Sequence, residues 1–285
     1  MYSRDETVNA ILRLYQEVIR HPCLNDSTLV IPPPNGWRSV NIQGKTKTVL
    51  DLLRNLPYLR PEKPYERLLI YWETIPICYT DEQSYPEIYP LPAHCVYLAR
   101  SVDREGTSLI LDTNEGTITE FCHTGSYITV PEKEYEALSE EDKWKAHRTS
   151  PIKSFLDAWT RRYEKLVWML IPNPIGQPTT GRFYSRADTN AEQDELTLEE
   201  QLKPWHLQDD ANHSYFENEL DRAQYEAQKS MRKHVADVYN TYLRYGWPDH
   251  FDKDRCRGEL LQLEESKDAE DRQKMDEINP DAQLF

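Results

Sequence analysis

Residues 95–122, CVYLARSVDREGTSLILDTNEGTITEFC, constrain this chain more than any other stretch. Three apolar runs of strand length, Cys95–Ser101, Thr107–Asp112 and Gly116–Cys122, are parted by short Asp/Glu/Gly clusters. Runs rich in Val, Ile, Leu and Tyr between turn residues form strands, and short connections make neighbours antiparallel. Thr113-Asn114-Glu115 is a tight hairpin connection, with Gly116 available for positive φ. The expected unit is a β-meander with an acidic rim.

The flanking segments supply its cover. Ser3-Arg4-Asp5-Glu6 has the form of a capping box, and Val8, Ile11, Leu12, Tyr15, Val18 and Ile19 recur at helical spacing until His21-Pro22. Thr48–Leu56 repeats the pattern. Arg67–Trp72 reads as a strand continuing through Ile75–Tyr79 past a kink at Pro76, and Ser84–Pro92 is a proline-studded loop. The charged run 131–146 suits a helix. Thr149-Ser150-Pro151 offers a cap and a first-turn proline for a helix with the stripe Ile152, Phe155, Leu156, Trp159, Tyr163 and Leu166. That helix should pack on the sheet, and Leu166–Ile171 reads as a closing strand. The fold class is α+β, a mainly antiparallel sheet packed by helices over residues 1–175.

A polar, proline-containing linker is expected over 176–212, then an acidic helical extension over 213–285. In the extension Phe216, Leu220, Ala223, Ala227, Met231, Val235, Val238 and Tyr242 are spaced by three or four residues. This stripe predicts one long helix that docks on the domain, on a partner or on a second copy. The polar tail from Gly258 reads as a solvated helix or as disorder.

The net charge of −15 is unevenly placed, with −4 on residues 1–175 and −11 on 176–285. Such a field repels nucleic-acid phosphates and anionic lipid, so the expected partner is a protein with a basic surface. Cys23, Cys78, Cys95, Cys122 and Cys256 form no CxxC pair and read as reduced and mostly buried, although Cys95 and Cys122 bracket the meander. No apolar run approaches the ~18 residues of a membrane span and no signal-peptide pattern opens the chain, which points to cytosol or nucleus.

Phosphate-binding loops, dinucleotide fingerprints, HExxH and GxSxG are all missing from the sequence. The carboxylates Asp103, Glu105, Asp112 and Glu115 with Arg104 sit on the meander's connections, where acidic residues ordinarily hold turns. If the chain were an enzyme, Asp103, Asp112 and His123 would be its acid/base candidates, in a groove beside the proline-rich loop. The histidines form no i, i+4 pair, so neither metal nor cofactor is implied; His123 near Cys122 and Asp112 is the one place to look. Tyr71, Trp72, Tyr79 and Tyr97, with Arg104 and Glu105, form a candidate binding surface, against the plainer reading of these rings as core.

Glu105-Gly106-Thr107-Ser108-Leu109-Ile110-Leu111-Asp112, Glu115-Gly116-Thr117-Ile118 and Ser154-Phe155-Leu156-Asp157-Ala158-Trp159, in that order after two helices, resemble the SUKH superfamily over residues 1–171. The resemblance implies one α+β domain with a curved sheet and a non-catalytic adaptor. Fungal regulators of cell-wall signalling and bacterial proteins that neutralise nuclease toxins are its examples, binding partners through one face of the sheet. The leading expectation is an interaction module, with an enzyme of unrecognised type as the alternative.

Overall fold

The computed structural model describes residues 2–63, 66–80, 89–174, 179–187 and 219–278, with the side chains of 219, 220, 277 and 278 outside that set. The fold is α+β, and none of its described helices is long and apolar enough to cross a membrane. Its centre is an antiparallel five-stranded sheet in sequential order: β3 (Thr74–Pro76), β4 (Cys95–Ser101), β5 (Thr107–Asp112), β6 (Thr117–Cys122) and β7 (Thr149–Pro151). The three central strands are those the turn spacing predicts. Register shifts between Tyr97 and Ala99 of β4, a bulge that bends the sheet. The two outermost strands are three residues long and each ends in a proline, Pro76 and Pro151.

Helix α1 (Arg4–Arg20) opens on Ser3, whose side chain accepts from the Glu6 amide as the capping signature requires. Helix α2 (Lys47–Asn55) follows, and the short strands β1 (Leu29–Val30) and β2 (Tyr58–Leu59) pair beside it. Helix α4 (Ile152–Glu164) packs against α1 and on the sheet. Its buried stripe of Ile152, Phe155, Leu156, Trp159 and Tyr163 is the predicted one. Thr149 and Ser150, however, do not cap it. They pair with β6, and Thr149 Oγ1 lies 2.9 Å from Thr119 Oγ1. The charged run 131–146 holds only a short helix, α3 (Glu132–Ala137), and a 3-10 turn at Lys143–Ala146.

Arg67–Trp72 is not a strand. Leu68, Leu69, Ile70 and Tyr71 are buried in irregular chain with only isolated bridges, Arg67 to Thr179 and Tyr71 to Thr74, and Glu73 at φ 41° turns the backbone so that a continuous ladder begins at Thr74. Of the Ser84–Pro92 loop, residues 84–88 lie outside the described residues. The predicted closing strand, β8 (Trp168–Pro172), exists but does not join the main sheet. Its partner is β9 (Gly181–Ser185), from within the expected linker. Gly181 is required there, since a Cβ would meet the Ile171 carbonyl oxygen at 2.3 Å.

The β8–β9 hairpin is the wall between two cores. Successive strand residues face opposite ways, so Trp168 and Leu170 enter the first core with α1, α2, α4 and the sheet, and Met169 and Ile171 enter the second. That second core is closed by α5 (Glu219–Arg244) and α6 (Lys253–Ile278), through Val235, Val238, Tyr242, Cys256 and Leu260. Only the later half of the α5 stripe is used, because Ala223, Ala227 and Met231 are exposed. Phe216 and the Leu220 side chain lie outside the described residues. Of the polar tail, residues 258–278 belong to helix α6, which begins at Lys253, and residues 279–285 lie outside the described residues. Trp247 anchors the α5–α6 connection, its indole N–H donating to the Glu164 carbonyl at 2.8 Å and Arg20 lying over its ring at 4.2 Å.

Candidate functional site

The turn at Glu73 and the β4–β5 connection together build one exposed, rigid patch. Thr74 Oγ1 donates to the Trp72 carbonyl at 2.6 Å and accepts from the Thr107 amide at 2.9 Å. The Glu73 carbonyl accepts from Val102 N–H at 2.8 Å, and its carboxylate from Glu105 N–H at 2.8 Å. Gly106 must be glycine, since a Cβ would lie 2.3 Å from the Glu73 carbonyl oxygen. Asp103 Oδ1 accepts from the Arg104 amide at 2.7 Å, holding the turn.

Trp72 stands beside this turn, with its ring 5.1 Å from that of Phe183. It is 43% exposed and is the one aromatic among the large apolar side chains exposed in the described residues. Asp103, Arg104 and Glu105 are exposed next to it. The backbone under Trp72 is fixed by these bonds, so little order is lost when a partner covers the ring.

The other expected members of the aromatic surface belong to the core. Tyr71, Tyr79 and Tyr97 are 3%, 8% and 2% exposed. Tyr71 packs on Trp159, Trp168 and Phe183, and Tyr79 donates to the Tyr97 carbonyl at 2.8 Å. The structure therefore keeps Trp72, Arg104 and Glu105 at the surface and removes the three tyrosines from it.

The acid/base trio is not brought together either. Asp103 and His123 lie toward the end of the sheet where Thr107 pairs with Cys122, and Asp112 lies at the opposite end, paired with Cys95. Five strand steps of ~3.3 Å separate the two ends. His123 is exposed and packs edge-on against Phe121 at 4.9 Å. The same spacing keeps Cys95 and Cys122 apart, and all five cysteines are free and buried.

Two polar constellations were not legible in the sequence. One is His94, Cys95 and Asp112 at the hairpin end of the meander, where His94 Nε2 lies 3.6 Å from Asp112 Oδ2. Adjacent His94-Cys95 opposite Asp112 in an antiparallel register was the available signal. The other lies under the C-terminal helices. Arg182 donates two bonds to Asp268, at 2.8 and 2.7 Å, and one to Glu264 at 2.6 Å. Glu264 also accepts from Tyr184 Oη at 3.1 Å and lies 2.5 Å from His234 Nε2. The Arg182 guanidinium holds Asp268 below the usual carboxylate range, and burial pushes the Tyr184 hydroxyl up. Every member is bonded to another, so this network clamps the helices to the hairpin.

His21, read in the sequence only as a helix stop, is wholly buried where the two cores meet. The Leu170 amide donates to its Nδ1 at 3.2 Å, Tyr242 Oη lies 2.8 Å from the same nitrogen, and Nε2 finds no partner. Burial, then Arg20 and Lys253, lowers its pKa to about 3. A cavity of about 240 Å³ opens between Asn25, Glu62 and Arg257. Its polar walls bond to each other, Arg257 donating to Asn25 at 3.0 Å and Asn25 to Glu62 at 2.7 Å. No family model matches the chain, and no curated protein or solved structure shows detectable similarity to it.

Proposed function

We propose that the chain is a non-catalytic interaction module that binds a protein through Trp72 and the acidic β4–β5 turn. The observation that carries this reading is Trp72, a large ring left 43% exposed on a turn held from four sides by hydrogen bonds. Exposed rigid tryptophans ringed by charged groups are the usual anchors of protein interfaces. Glu73, Asp103 and Glu105 outweigh Arg104, so the complementary partner surface is basic and offers an apolar recess for the indole. The SUKH resemblance implies the same kind of role, an adaptor that acts through its sheet.

Affinity capture with the full chain and with Trp72→Ala, each followed by titration of the recovered protein, tests the proposal. Loss of the anchor should weaken binding by about 30-fold or more, the effect of a 2 kcal/mol hot spot. The unfolding midpoint should fall modestly through lost packing on Phe183, so affinity is compared under conditions where both chains are fully folded. Equal affinity for both chains would overturn the assignment of this surface.

A further inference from the structure

We propose that His94, Cys95 and Asp112 form a binding site for a divalent cation of the zinc class, at the sheet end opposite Trp72. Their candidate ligand atoms, one per residue, all lie within 4.8 Å of one another. Tetrahedral zinc, with bonds of about 2.0–2.3 Å, sets distances between its ligand atoms of roughly 3.3–3.5 Å. The 3.6 Å between His94 Nε2 and Asp112 Oδ2 already approaches that edge, and the set needs to contract by little more than an ångström.

Backbone pairing and turn hydrogen bonds hold these three residues together at the hairpin end. Cys95 and Asp112 are cross-strand partners in the register of β4 and β5. The His94 carbonyl accepts from the Thr113 amide at 3.0 Å and from Thr113 Oγ1 at 2.8 Å, which ties the imidazole's backbone to the far strand. Asp112 Oδ1 accepts from Asn114 N–H at 2.7 Å and Glu115 N–H at 3.1 Å. These donors orient the carboxylate as outer partners do in metal sites, and Oδ2 remains to ligate.

The donor set selects the ion. One thiolate, one imidazole and one carboxylate suit zinc and not calcium or magnesium, and the two anionic ligands neutralise its charge. Cys95 is wholly buried and the His94 side chain is 33% exposed, so the cluster spans from the core to the solvent boundary.

Cobalt(II), titrated into the reduced full chain at neutral pH, reports directly on sulfur ligation. One equivalent should produce a thiolate-to-cobalt charge-transfer band with tetrahedral visible bands, and one equivalent of zinc should bleach both. Cys95→Ser should abolish the charge-transfer band, and Cys122→Ser should leave it unchanged. Asp112→Asn keeps the Oδ1 acceptor that holds the turn, so the chain should fold and bind more than about tenfold more weakly. His94→Gln should do the same. Absence of the band in the unaltered chain, or its survival in Cys95→Ser, would overturn the site.

Discussion

The two faces of the β8–β9 hairpin are held by different physics. On the first face Trp168, Leu170 and Phe183 meet Tyr71, Trp159 and Tyr163, rings at centroid distances of 4.7–5.7 Å in a core that is almost wholly apolar. On the second face Met169 and Ile171 meet a smaller apolar cluster, bordered by the Arg182–Glu264–Asp268 network with His234 and Tyr184. An apolar core tolerates many packings of about the right volume, whereas a buried ionic network is satisfied in one arrangement. The aromatic face of the hairpin is thus secured by burial and the position of the C-terminal helices by matched charges, while in the main sheet one part-buried pair, Arg148 on Glu120, joins β6 to the chain before β7.

Removing one member of the network should have the largest effect. Glu264→Ala leaves Arg182, His234 and Tyr184 without their common acceptor and should cost about 3–5 kcal/mol. Limited proteolysis should then cut α5 and α6 before the body, and urea unfolding should split into two transitions. One transition with an unchanged midpoint would show that both faces depend on burial alone.

Acid should probe the body independently. His147 is 1% exposed, with neither ring nitrogen bonded, and burial, then His123, lowers its pKa from 6.5 to about 4. Between those values the unfolded chain binds the extra proton, so stability falls as pH drops from 6.5 to about 4 and that loss is complete below it. The gap corresponds to about 3 kcal/mol at 1.36 kcal/mol per pKa unit. His147→Phe keeps a ring against Phe121 and should flatten this slope in denaturant titrations at pH 7 and pH 4.5. An unchanged slope would assign acid sensitivity to the other core, with His21 at its border.

The smallest effect should come from Ile110→Val in the middle of β5. Ile110 is 0% exposed, and loss of one methylene should cost about 1 kcal/mol, seen as a uniform shift of a single melting transition. A larger loss confined to the C-terminal helices would mean that the two faces are coupled through the hairpin.

The meander was legible because period, turn residues and register agree there: each strand run is bounded by residues that turns require. Helix α1 was legible from Ser3 and its stripe. Strand β9 was not, since Gly181–Ser185 lies in a polar stretch and exists only because β8 offers it a partner. Helix α6 was legible only in part, since a helical extension was expected there but the tail was read as either helix or disorder. Its buried positions, Cys256, Leu260 and Glu264, fall four residues apart, but one of the three is an acid that hydropathy counts as solvent-facing. Conversely, Arg67–Trp72 has the composition of a strand, and the positive φ at Glu73 turns the chain before more than isolated bridges can form. Of the candidate binding surface, strand spacing could not tell exposed Trp72 from buried Tyr71, because that segment has no regular alternation.

The short outer strands of the central sheet decide how any neighbour can approach it. Pro76 and Pro151 have no amide hydrogen, and each flank offers only three residues of backbone. A visiting peptide finds no ladder there to extend, so augmentation by a foreign β-segment, and the fibrous stacking that begins that way, is blocked on both sides. Any contact made at these two flanks is therefore made by side chains that protrude from the sheet.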